Sequence, residues 1–463
     1  MKIIFHSIIF SILMIATSSA LLCQPKLLGN WEGDLGPDSM KIKIILHIIA
    51  KDSSYKSFIE IPGQGSVNIP LGQTQITGDS LIINDSKFLI AIKGFYNALK
   101  DSIDVRGLQY GKSIAINFGR SSVTGFTLNR PQTPKPPFPY SSEEVVFANA
   151  NANNIKLAGT LTVPMNSKIR CAAILITGSG PQNRNEKAFD HETFLILSDY
   201  LSRNGIAVLR FDDRGVAQSE GAFKSATTYD FSTDVEAALD YLRKRIDIPI
   251  QKIGLIGHSE GGMIAPMVAA RRRDVAFVVC LAGPGVPLDK LQMKQNEEIA
   301  KSEKQADTVL QKNLKMHAEV FASIKEIERP DVLESKTRSI LKEYNFLAGD
   351  TAAYNQFVKR MLSPWFRYLI RYNPADALEH MSCPLLALNG TLDKQVDATM
   401  NLEGMRTALK KGKNPDFTLL YMPGLNHLFQ EAKTGDVAEY VMIEQTMSPK
   451  VLEAVTQWIQ KRF

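Results

Sequence analysis

The chain has 463 residues, of which 44% are hydrophobic and 22% are charged, so it is long enough for two or three globular folding units. Its formal net charge of +6 is small for this length and comes without a long basic block, which argues against nucleic acid as a partner. Beyond the N-terminus, no apolar run approaches the ~20 residues that a membrane-spanning helix needs, so we expect no stable membrane insertion.

The first twenty residues have the pattern of a signal peptide. Lys2 supplies a positive start, residues 3–16 are mostly apolar, and Ser18-Ser19-Ala20 offers the small side chains that a signal peptidase reads. We therefore expect an exported protein, either periplasmic or secreted. Cys23 raises the alternative of a lipoprotein anchor, but the preceding Leu22 is larger than the residue that such anchors require.

Residues 27–130 predict a small antiparallel β domain. They contain short alternating runs, such as K-I-K-I-I-L-H-I-I, separated by clusters of Gly, Asp, Asn and Ser. The next segment, residues 131–143, carries five prolines and predicts an extended, stiff linker.

From residue 144 to residue 463 the pattern changes to strands that alternate with helices. Glu144–Ala148 and Lys156–Val163 predict an antiparallel pair. Six short apolar runs then predict buried strands: Ala172–Thr177, Ala207–Phe211, Ile253–Ile256, Val275–Ala282, Leu385–Asn389 and Thr418–Met422. This order predicts an α/β fold with a mostly parallel sheet that has helices on both faces. Residues 288–380 interrupt the alternation, because that segment is charged and helical in pattern and contains no strand.

Three cysteines, Cys171, Cys280 and Cys383, lie in or beside apolar strand-like runs, and none forms a C-x-x-C pair. We expect buried, unreactive thiols. The pattern indicates neither a disulfide framework nor a metal site, and no segment indicates a cofactor.

The segment Gly257-His258-Ser259-Glu260-Gly261 joins a short apolar run to a run of helical composition. The pattern G-x-S-x-G is short enough to arise by chance. Between a strand and a helix, however, it is typical of a nucleophile elbow, in which a serine lies on a sharp turn and the glycines relieve crowding. Because a serine hydroxyl is a weak nucleophile at neutral pH, Ser259 requires a base and an acid that orients this base.

Two later strand ends supply candidates for both. Asp393 follows the run P-L-L-A-L-N-G, and His427 follows the run F-T-L-L-Y-M-P-G. Serine, acid and histidine then occur in the chain order that nucleophile-elbow enzymes use. A lone histidine is more often structural, but this order and the strand-end position favour His427 as the base. Asp393 is the favoured acid, with Asp397 and Glu403 as nearby alternatives.

A tetrahedral intermediate also needs N–H donors directed at its oxyanion. We expect one from the backbone of Glu260 and the other from Ser179, in a loop where Gly178 and Gly180 let a substrate approach the backbone. The alternative interpretation of this loop is a simple strand-to-helix turn. The Glu260 carboxylate must point away from the oxyanion or be paired, since two negative charges repel each other.

With these motifs the chain resembles the α/β-hydrolase superfamily, and within it the bacterial exported esterases that have a serine-aminopeptidase-like (S33-type) hydrolase domain. The resemblance extends from about Val145 to Phe463. It is carried by the stretches T-G-S-G-P-Q-N-R-N-E (177–186), V-L-R-F-D-D-R-G-V-A-Q-S (208–219), G-H-S-E-G-G (257–262), N-G-T-L-D-K-Q-V (389–396) and P-G-L-N-H-L-F-Q (423–430). It implies that Ser259 is the nucleophile, Asp393 the acid and His427 the base. Thr177 departs from the pattern, because many members have histidine before the oxyanion glycine.

The resemblance also implies a structural turn at residues 213–215 and a helical cap over the active site, formed by residues 288–380. Residues 361–370 are the most apolar and aromatic part of this cap. Trp365 and Phe366 are therefore candidates to line an acyl pocket. Packing of the cap onto the core is the alternative interpretation of these two side chains.

Three functions are compatible with these residues. We favour a serine esterase that hydrolyses carboxylic esters of small or medium acyl groups through an acyl-enzyme, without metal or cofactor. A serine aminopeptidase or acyl-peptide hydrolase would use the same triad but needs an acidic pocket for an amino terminus, and the cap carboxylates Glu297, Glu298 and Glu379 are expected to be solvated instead. A catalytically inert binding protein is the third alternative.

The esterase interpretation makes a quantitative prediction. The kcat/KM for short-chain aryl esters should be at least ~100-fold higher than the kcat/KM for aminoacyl arylamides. The sequence does not fix the oligomeric state.

Overall fold

The computed structural model describes residues 26–35, 42–51, 54–61, 66–85, 90–109, 112–122, 130–165, 168–245, 252–302, 305–347, 349, 351–440 and 443–463. The predicted signal peptide and Cys23 lie outside these residues. The chain divides between residues 127 and 128 into two compact units. None of the described helices is both long enough and apolar enough to cross a membrane.

In the described part of the N-terminal unit every element is an antiparallel strand, as the alternating runs predict. The strands are β1 (Gly29–Leu35), β2 (Ile42–Lys51), β3 (Ser54–Ile61), β4 (Ser66–Pro70), β5 (Gln73–Thr77), β6 (Ser80–Asp85), β7 (Ile90–Asn97), β8 (Ser102–Gln109) and β9 (Lys112–Arg120). They pair in the order β2-β1-β9-β8-β7-β6-β5-β3-β4, and a further pairing of β2 with β3 closes the sheet on itself. The apolar interior contains Trp31, whose indole N–H donates to the Leu27 carbonyl at 2.9 Å.

The second unit alternates strands and helices. Its strands are β10 (Tyr140–Asn149), β11 (Ile155–Pro164), β12 (Cys171–Ile176), β13 (Lys187–Ala188), β14 (His191–Glu192), β15 (Ile206–Phe211), β16 (Ile253–His258), β17 (Val275–Leu281), β18 (Leu385–Gly390) and β19 (Phe417–Met422). Its helices are α1 (Thr193–Arg203), α2 (Thr228–Arg243), α3 (Gly261–Arg271), α4 (Leu288–Ser302), α5 (Asp307–Glu326), α6 (Pro330–Glu343), α7 (Thr351–Leu362), α8 (Pro364–Arg371), α9 (Ala375–Leu378), α10 (Ala398–Lys411), α11 (Val437–Tyr440) and α12 (Pro449–Gln460).

Eight strands of the second unit form one sheet, in the order β10-β11-β15-β12-β16-β17-β18-β19. The first two are antiparallel to their neighbours and the remaining six are parallel to one another, which confirms the predicted mostly parallel sheet. Parallel strands end at the same edge of a sheet. Ser259, Asp393 and His427 follow β16, β18 and β19 at this edge.

Helices cover both faces of this sheet. Along a strand, successive side chains point to opposite faces, and in the central strands both sets are apolar. Ile174 packs with α2, α3 and α10 on one face, whereas Leu175 packs with α1 and α12 on the other. Burial on both sides explains why these strands read as continuous apolar runs.

The proline-rich linker is shorter than predicted. β10 begins at Tyr140, whose hydroxyl donates to Asp199 at 2.7 Å, so residues 140–143 belong to the sheet. Gln132 is also bound to the second unit, because its side-chain oxygen accepts from the N–H groups of Thr446 and Met447. Proline composition predicts an extended chain, but it does not show where that chain pairs with a neighbour.

Six helices, α4 to α9, are inserted between β17 and β18, where the sequence predicts a helical segment without strands. We call them the inserted helices. They have an apolar core of their own, in which Phe366 packs against Phe321 with ring centroids 5.9 Å apart. This core extends to Met263 of α3, so the inserted helices rest on the helix that follows Ser259.

The cysteines Cys171, Cys280 and Cys383 are free, and burial raises the pKa of each thiol. A raised pKa disfavours the reactive thiolate. Among the described residues, no group of three His, Cys, Asp or Glu side chains is arranged to hold a metal ion.

Candidate active site

Ser259 lies on a tight turn between β16 and α3. Its φ of 52° is in the left-handed region that a side chain rarely adopts, and its N–H donates to the Leu281 carbonyl of the adjacent strand at 2.8 Å. The flanking glycines are required by space. A Cβ at Gly257 would lie 1.9 Å from the Gly261 carbonyl oxygen, and a Cβ at Gly261 would lie 2.1 Å from the Ile176 carbonyl oxygen. The strand, turn and helix predicted from the G-x-S-x-G pattern are therefore present.

His427 and Asp393 are in direct contact. The Nδ1 atom of His427 lies 2.8 Å from Oδ2 of Asp393, and both side chains are almost completely buried. The other carboxylate oxygen, Oδ1, accepts from the N–H groups of Gln395 and Val396, each at 2.8 Å. Because a carboxylate only accepts, the proton of neutral His427 lies on Nδ1, and Nε2 is left as an acceptor.

The two alternative acids lie elsewhere. Asp397 caps α10 by accepting from the N–H of Met400 at 2.7 Å. Glu403 lies on the exposed side of α10, where it binds Arg406 and Tyr421. Of the three acids, the structure places only Asp393 against His427.

A small cleft with a cavity of about 220 Å³ opens beside Ser259. Loops at the sheet edge form one wall and the inserted helices form the other. Its polar lining residues are Ser179, Ser259, Glu260, Gln292, Gln295, Arg360 and Gln395. Trp365 also lines the cleft, as its predicted acyl-pocket role requires, but Phe366 is buried in the core of the inserted helices and is not among the lining residues.

The backbone N–H groups of Glu260 and Ser179, the predicted oxyanion donors, have no protein acceptor among the described residues. Both residues line the cleft. The neighbouring N–H of Gly178 is already used, because it donates to Oε1 of Glu186 at 2.8 Å. The N–H of Ser179 is thus available to a ligand, whereas the N–H of Gly178 holds the loop in place.

The Glu260 carboxylate, next to Ser259, is paired. Its Oε1 accepts from the Thr228 hydroxyl at 2.6 Å and from the indole N–H of Trp365 at 2.9 Å. Burial raises the pKa of Glu260, and these two hydrogen bonds oppose that shift. Trp365 therefore connects α8 to the first turn of α3 in addition to lining the cleft.

His258 and Glu186 form a second buried pair, which no local sequence pattern predicts. His258 Nδ1 lies 2.9 Å from Oε1 of Glu186, and His258 Nε2 lies 2.9 Å from the carbonyl oxygen of His427. Burial disfavours the imidazolium, but the Glu186 carboxylate outweighs it and raises the pKa of His258. The His258 ring thereby joins the loop at Gly178, the turn at Ser259 and the loop of His427.

Further polar contacts hold the loop that contains Ser179. Thr177, which departs from the superfamily pattern, donates its hydroxyl to Oδ1 of Asp213 at 2.6 Å. Burial raises the pKa of Asp213 to about 8. Next to it, Arg214 is buried against Asp234 of α2 with two hydrogen bonds, of 2.7 and 2.9 Å, so residues 213–215 form a structural turn.

Three carboxylates of residues 288–380 that were considered for an aminopeptidase pocket are bound to lysines. Glu297 binds Lys294 and Lys301, and Glu298 binds Lys294. Glu379 binds Lys411. None of these three acids lines the cleft.

A family model described as serine aminopeptidase, S33, matches residues 191–432, slightly more than half of the chain. The chain belongs to this family. The part that matches the S33 family includes Ser259, Asp393, His427 and the inserted helices, whereas Ser179 and its loop precede it.

Similarity to individual proteins is weaker. The esterase EstD of Thermotoga maritima is 24% identical over 305 residues, and the alignment covers 66% of each chain, slightly less than two thirds of that relative. Similar solved structures include the esterase Pf2001 of Pyrococcus furiosus, with 16% identity, coverage of 72% of this chain and 98% of that chain, and a TM-score of 0.43. Est1E of Butyrivibrio proteoclasticus, solved with ferulic acid bound, has 18% identity, coverage of 68% and 96%, and a TM-score of 0.39.

Proposed function

We propose that this S33-family protein is a serine esterase that hydrolyses small carboxylic esters through an acyl-enzyme. The observation that carries the proposal is the convergence of a strained serine turn and a buried His427–Asp393 pair at one edge of the sheet. The ring centroid of His427 lies 4.9 Å from that of His258, the residue that precedes Ser259. A relative with 24% identity is named an esterase, in agreement with this assignment.

In the proposed reaction, Ser259 Oγ attacks the ester carbonyl carbon while its proton passes to Nε2 of His427. Asp393 holds the imidazole through Nδ1 and stabilises the imidazolium that forms. The N–H groups of Glu260 and Ser179 stabilise the oxyanion. His427 then protonates the departing alcohol, and water attacks the acyl-enzyme by the same steps to release the acid and restore Ser259.

An aminopeptidase is the second candidate, because the family description names that activity and because the acidic residue Glu260 is among those that line the cleft. We favour the esterase since Glu260 already accepts two hydrogen bonds, whereas Arg360, a cation, lines the same cleft and would repel a substrate ammonium group. Aryl esters and aminoacyl arylamides with the same leaving-group chromophore discriminate the two. Arylamide turnover that matches ester turnover, and that falls selectively in Glu260→Gln, would transfer the protein to the aminopeptidase class.

The proposal is tested with a fluorophosphonate probe and a short-chain aryl ester. Ser259→Ala should eliminate probe labelling and lower kcat by at least ~10⁴-fold, because only binding and oxyanion stabilisation remain. Ser335→Ala, an exposed serine on α6, is the matched control and should behave as wild type. Labelling that persists in Ser259→Ala, with an unchanged circular dichroism spectrum, would overturn the assignment of the nucleophile.

A further inference from the structure

Arg360 is an unpaired cation in the wall of the cleft. It lies on α7 and is only partly exposed to solvent, and its guanidinium carbon is 5.4 Å from the centroid of the Phe366 ring. Among the described residues, no carboxylate or carbonyl oxygen lies within hydrogen-bond distance of this guanidinium. The other four arginines of residues 288–380 each form an ion pair: Arg329 with Asp331, Arg338 with Glu334, and Arg367 and Arg371 with Glu328.

The surroundings of Arg360 favour an anionic partner. Burial lowers the pKa of the guanidinium, and no neighbouring carboxylate opposes that shift. An arginine keeps its charge under such conditions. A ligand anion that accepts from two parallel N–H groups of the guanidinium would therefore supply the partner that the described residues do not.

No other charged side chain at the cleft competes for this role. Glu260 is the one carboxylate among the lining residues, and its Oε1 accepts from Thr228 and Trp365. The remaining polar lining residues are uncharged serines and glutamines, and among them Gln292 donates to Gln295 at 3.0 Å. With a single cation and a cavity of about 220 Å³, the cleft matches one compact monoanion rather than a phosphate dianion, which usually recruits several donors.

We propose that Arg360 binds a carboxylate of the substrate, so that the preferred esters carry a second, ionised carboxyl group. This inference rests on the proposed esterase function and names its substrate class. Arg360 is then a specificity-determining residue, which holds the far end of a substrate whose ester carbonyl lies at Ser259. The same chemistry applies whether the carboxylate belongs to the acyl group or to the alcohol.

Two pairs of substrates test the proposal. A monoaryl adipate and its methyl ester place the carboxylate on the acyl side, and 4-acetoxybenzoate and its methyl ester place it on the alcohol side. The readout is the ratio of kcat/KM for the ionised ester to kcat/KM for its neutral partner. In Arg360→Gln this ratio should fall at least ~10-fold for one of the two pairs, mainly through KM, because a charge-assisted hydrogen-bonded pair is lost.

Two further variants complete the comparison. Arg360→Lys keeps the charge without the planar fork, so its ratio should lie between those of wild type and Arg360→Gln. Arg338→Gln, on α6 and paired outside the cleft, is the matched control and should keep the wild-type ratio. A ratio in folded Arg360→Gln and Arg360→Lys that equals the wild-type ratio for both substrate pairs would overturn the proposal.

A binding measurement separates this proposal from the function on which it rests. Monomethyl adipate is titrated calorimetrically into Ser259→Ala and into the double variant with Arg360→Gln. Binding that weakens at least ~10-fold in the double variant supports the carboxylate site even if no ester is hydrolysed. Equal affinity of the two proteins, or no binding to Ser259→Ala, counts against the site even if ester hydrolysis is established.

Discussion

The two walls of the cleft are built differently. On the wall formed by the sheet edge, polar side chains are fixed by hydrogen bonds to other loops: Asp393 has three partners, and His258 has two. On the wall formed by the inserted helices, Arg360 has no partner among the described residues, and Trp365 makes one polar contact with the sheet edge. The comparison teaches that Asp393 and His258, beside the proposed base, are each fixed by two or more hydrogen bonds, whereas the proposed substrate-binding cation has no hydrogen-bond or ion-pair partner among the described residues.

The largest predicted effect is on the sheet-edge wall, at the acid. Asp393→Asn should lower kcat by ~10³–10⁴-fold with little change in KM, because an amide stabilises neither the required tautomer of His427 nor its imidazolium. Asp397→Asn is the matched control and should change kcat less than ~3-fold, since asparagine also caps a helix. Steady-state kinetics with an aryl ester measures both. The opposite ranking would assign the acid to Asp397.

The next effect concerns the buried pair of the same wall. Glu186→Gln should lower kcat ~10-fold or more, because His258 loses the carboxylate that raises its pKa and anchors it between three loops. Glu192→Gln, a carboxylate beyond the same loop, is the control.

Glu186→Gln also has a predicted pH dependence of stability. The pKa of His258 is higher in the folded protein than in the unfolded chain. The pair therefore stabilises the fold fully when the pH is below the pKa of the unfolded histidine, and this stabilisation is lost as the pH rises through the pKa of the folded histidine. The deficit in Tm of Glu186→Gln should therefore shrink with rising pH. A deficit that is constant with pH would exclude a charged His258.

A smaller effect is expected where the two walls meet. Trp365→Phe removes the indole N–H from buried Glu260 and should raise KM ~3–10-fold by loosening α8, with kcat nearly unchanged. Trp458→Phe is the matched control, because its indole N–H donates to Thr418 on the opposite face of the sheet. It should lower Tm without changing KM. Equal effects of the two variants on KM would show that the contact with Glu260 has no specific role at the cleft.

The smallest effect concerns Asp213 behind the sheet-edge wall. Its pKa is raised from 3.8 to about 8, so between these values the folded state retains a proton that the unfolded state has released. Its contribution to stability therefore falls as pH rises through this window. Asp213→Asn removes this loss, and its Tm relative to wild type should increase by about 2–5 °C from pH 4 to pH 8. Asp240→Asn, which removes a carboxylate from an exposed ion pair, is the control, and its Tm relative to wild type should not change with pH. If the relative Tm of Asp213→Asn is also constant with pH, Asp213 is not protonated in the folded state.

Much of the fold could be predicted because the responsible signals are local. Apolar runs identified all eight strands of the main sheet to within a few residues, since a strand buried on both faces must be apolar throughout. Glycine spacing located the turn of Ser259, and chain order located Asp393 and His427 after the correct strands. The linker prediction extended too far because proline content does not reveal that residues 140–143 pair with β11.

Contacts between distant segments could not be predicted. Glu186 and His258 lie far apart in sequence, and neither has a local pattern that marks a buried pair. The prediction for Phe366 was based on the aromatic composition of its segment. That composition does not distinguish a side chain that packs within the inserted helices from one that lines a cleft. Arg360 was not identified at all, since an arginine on a charged helix is ordinarily solvated or paired.

The sequence by itself therefore determined the succession of strands along the chain, the sharp turn at Ser259 and the candidate acid and base. It could do so because backbone crowding and burial act through neighbouring residues. Only the tertiary structure decided which acid contacts His427, which N–H groups remain available and which charge faces the cleft. The reason is physical: hydrogen bonds and ion pairs depend on distances of about 3 Å between groups that the chain brings together only when the sheet and the inserted helices have packed.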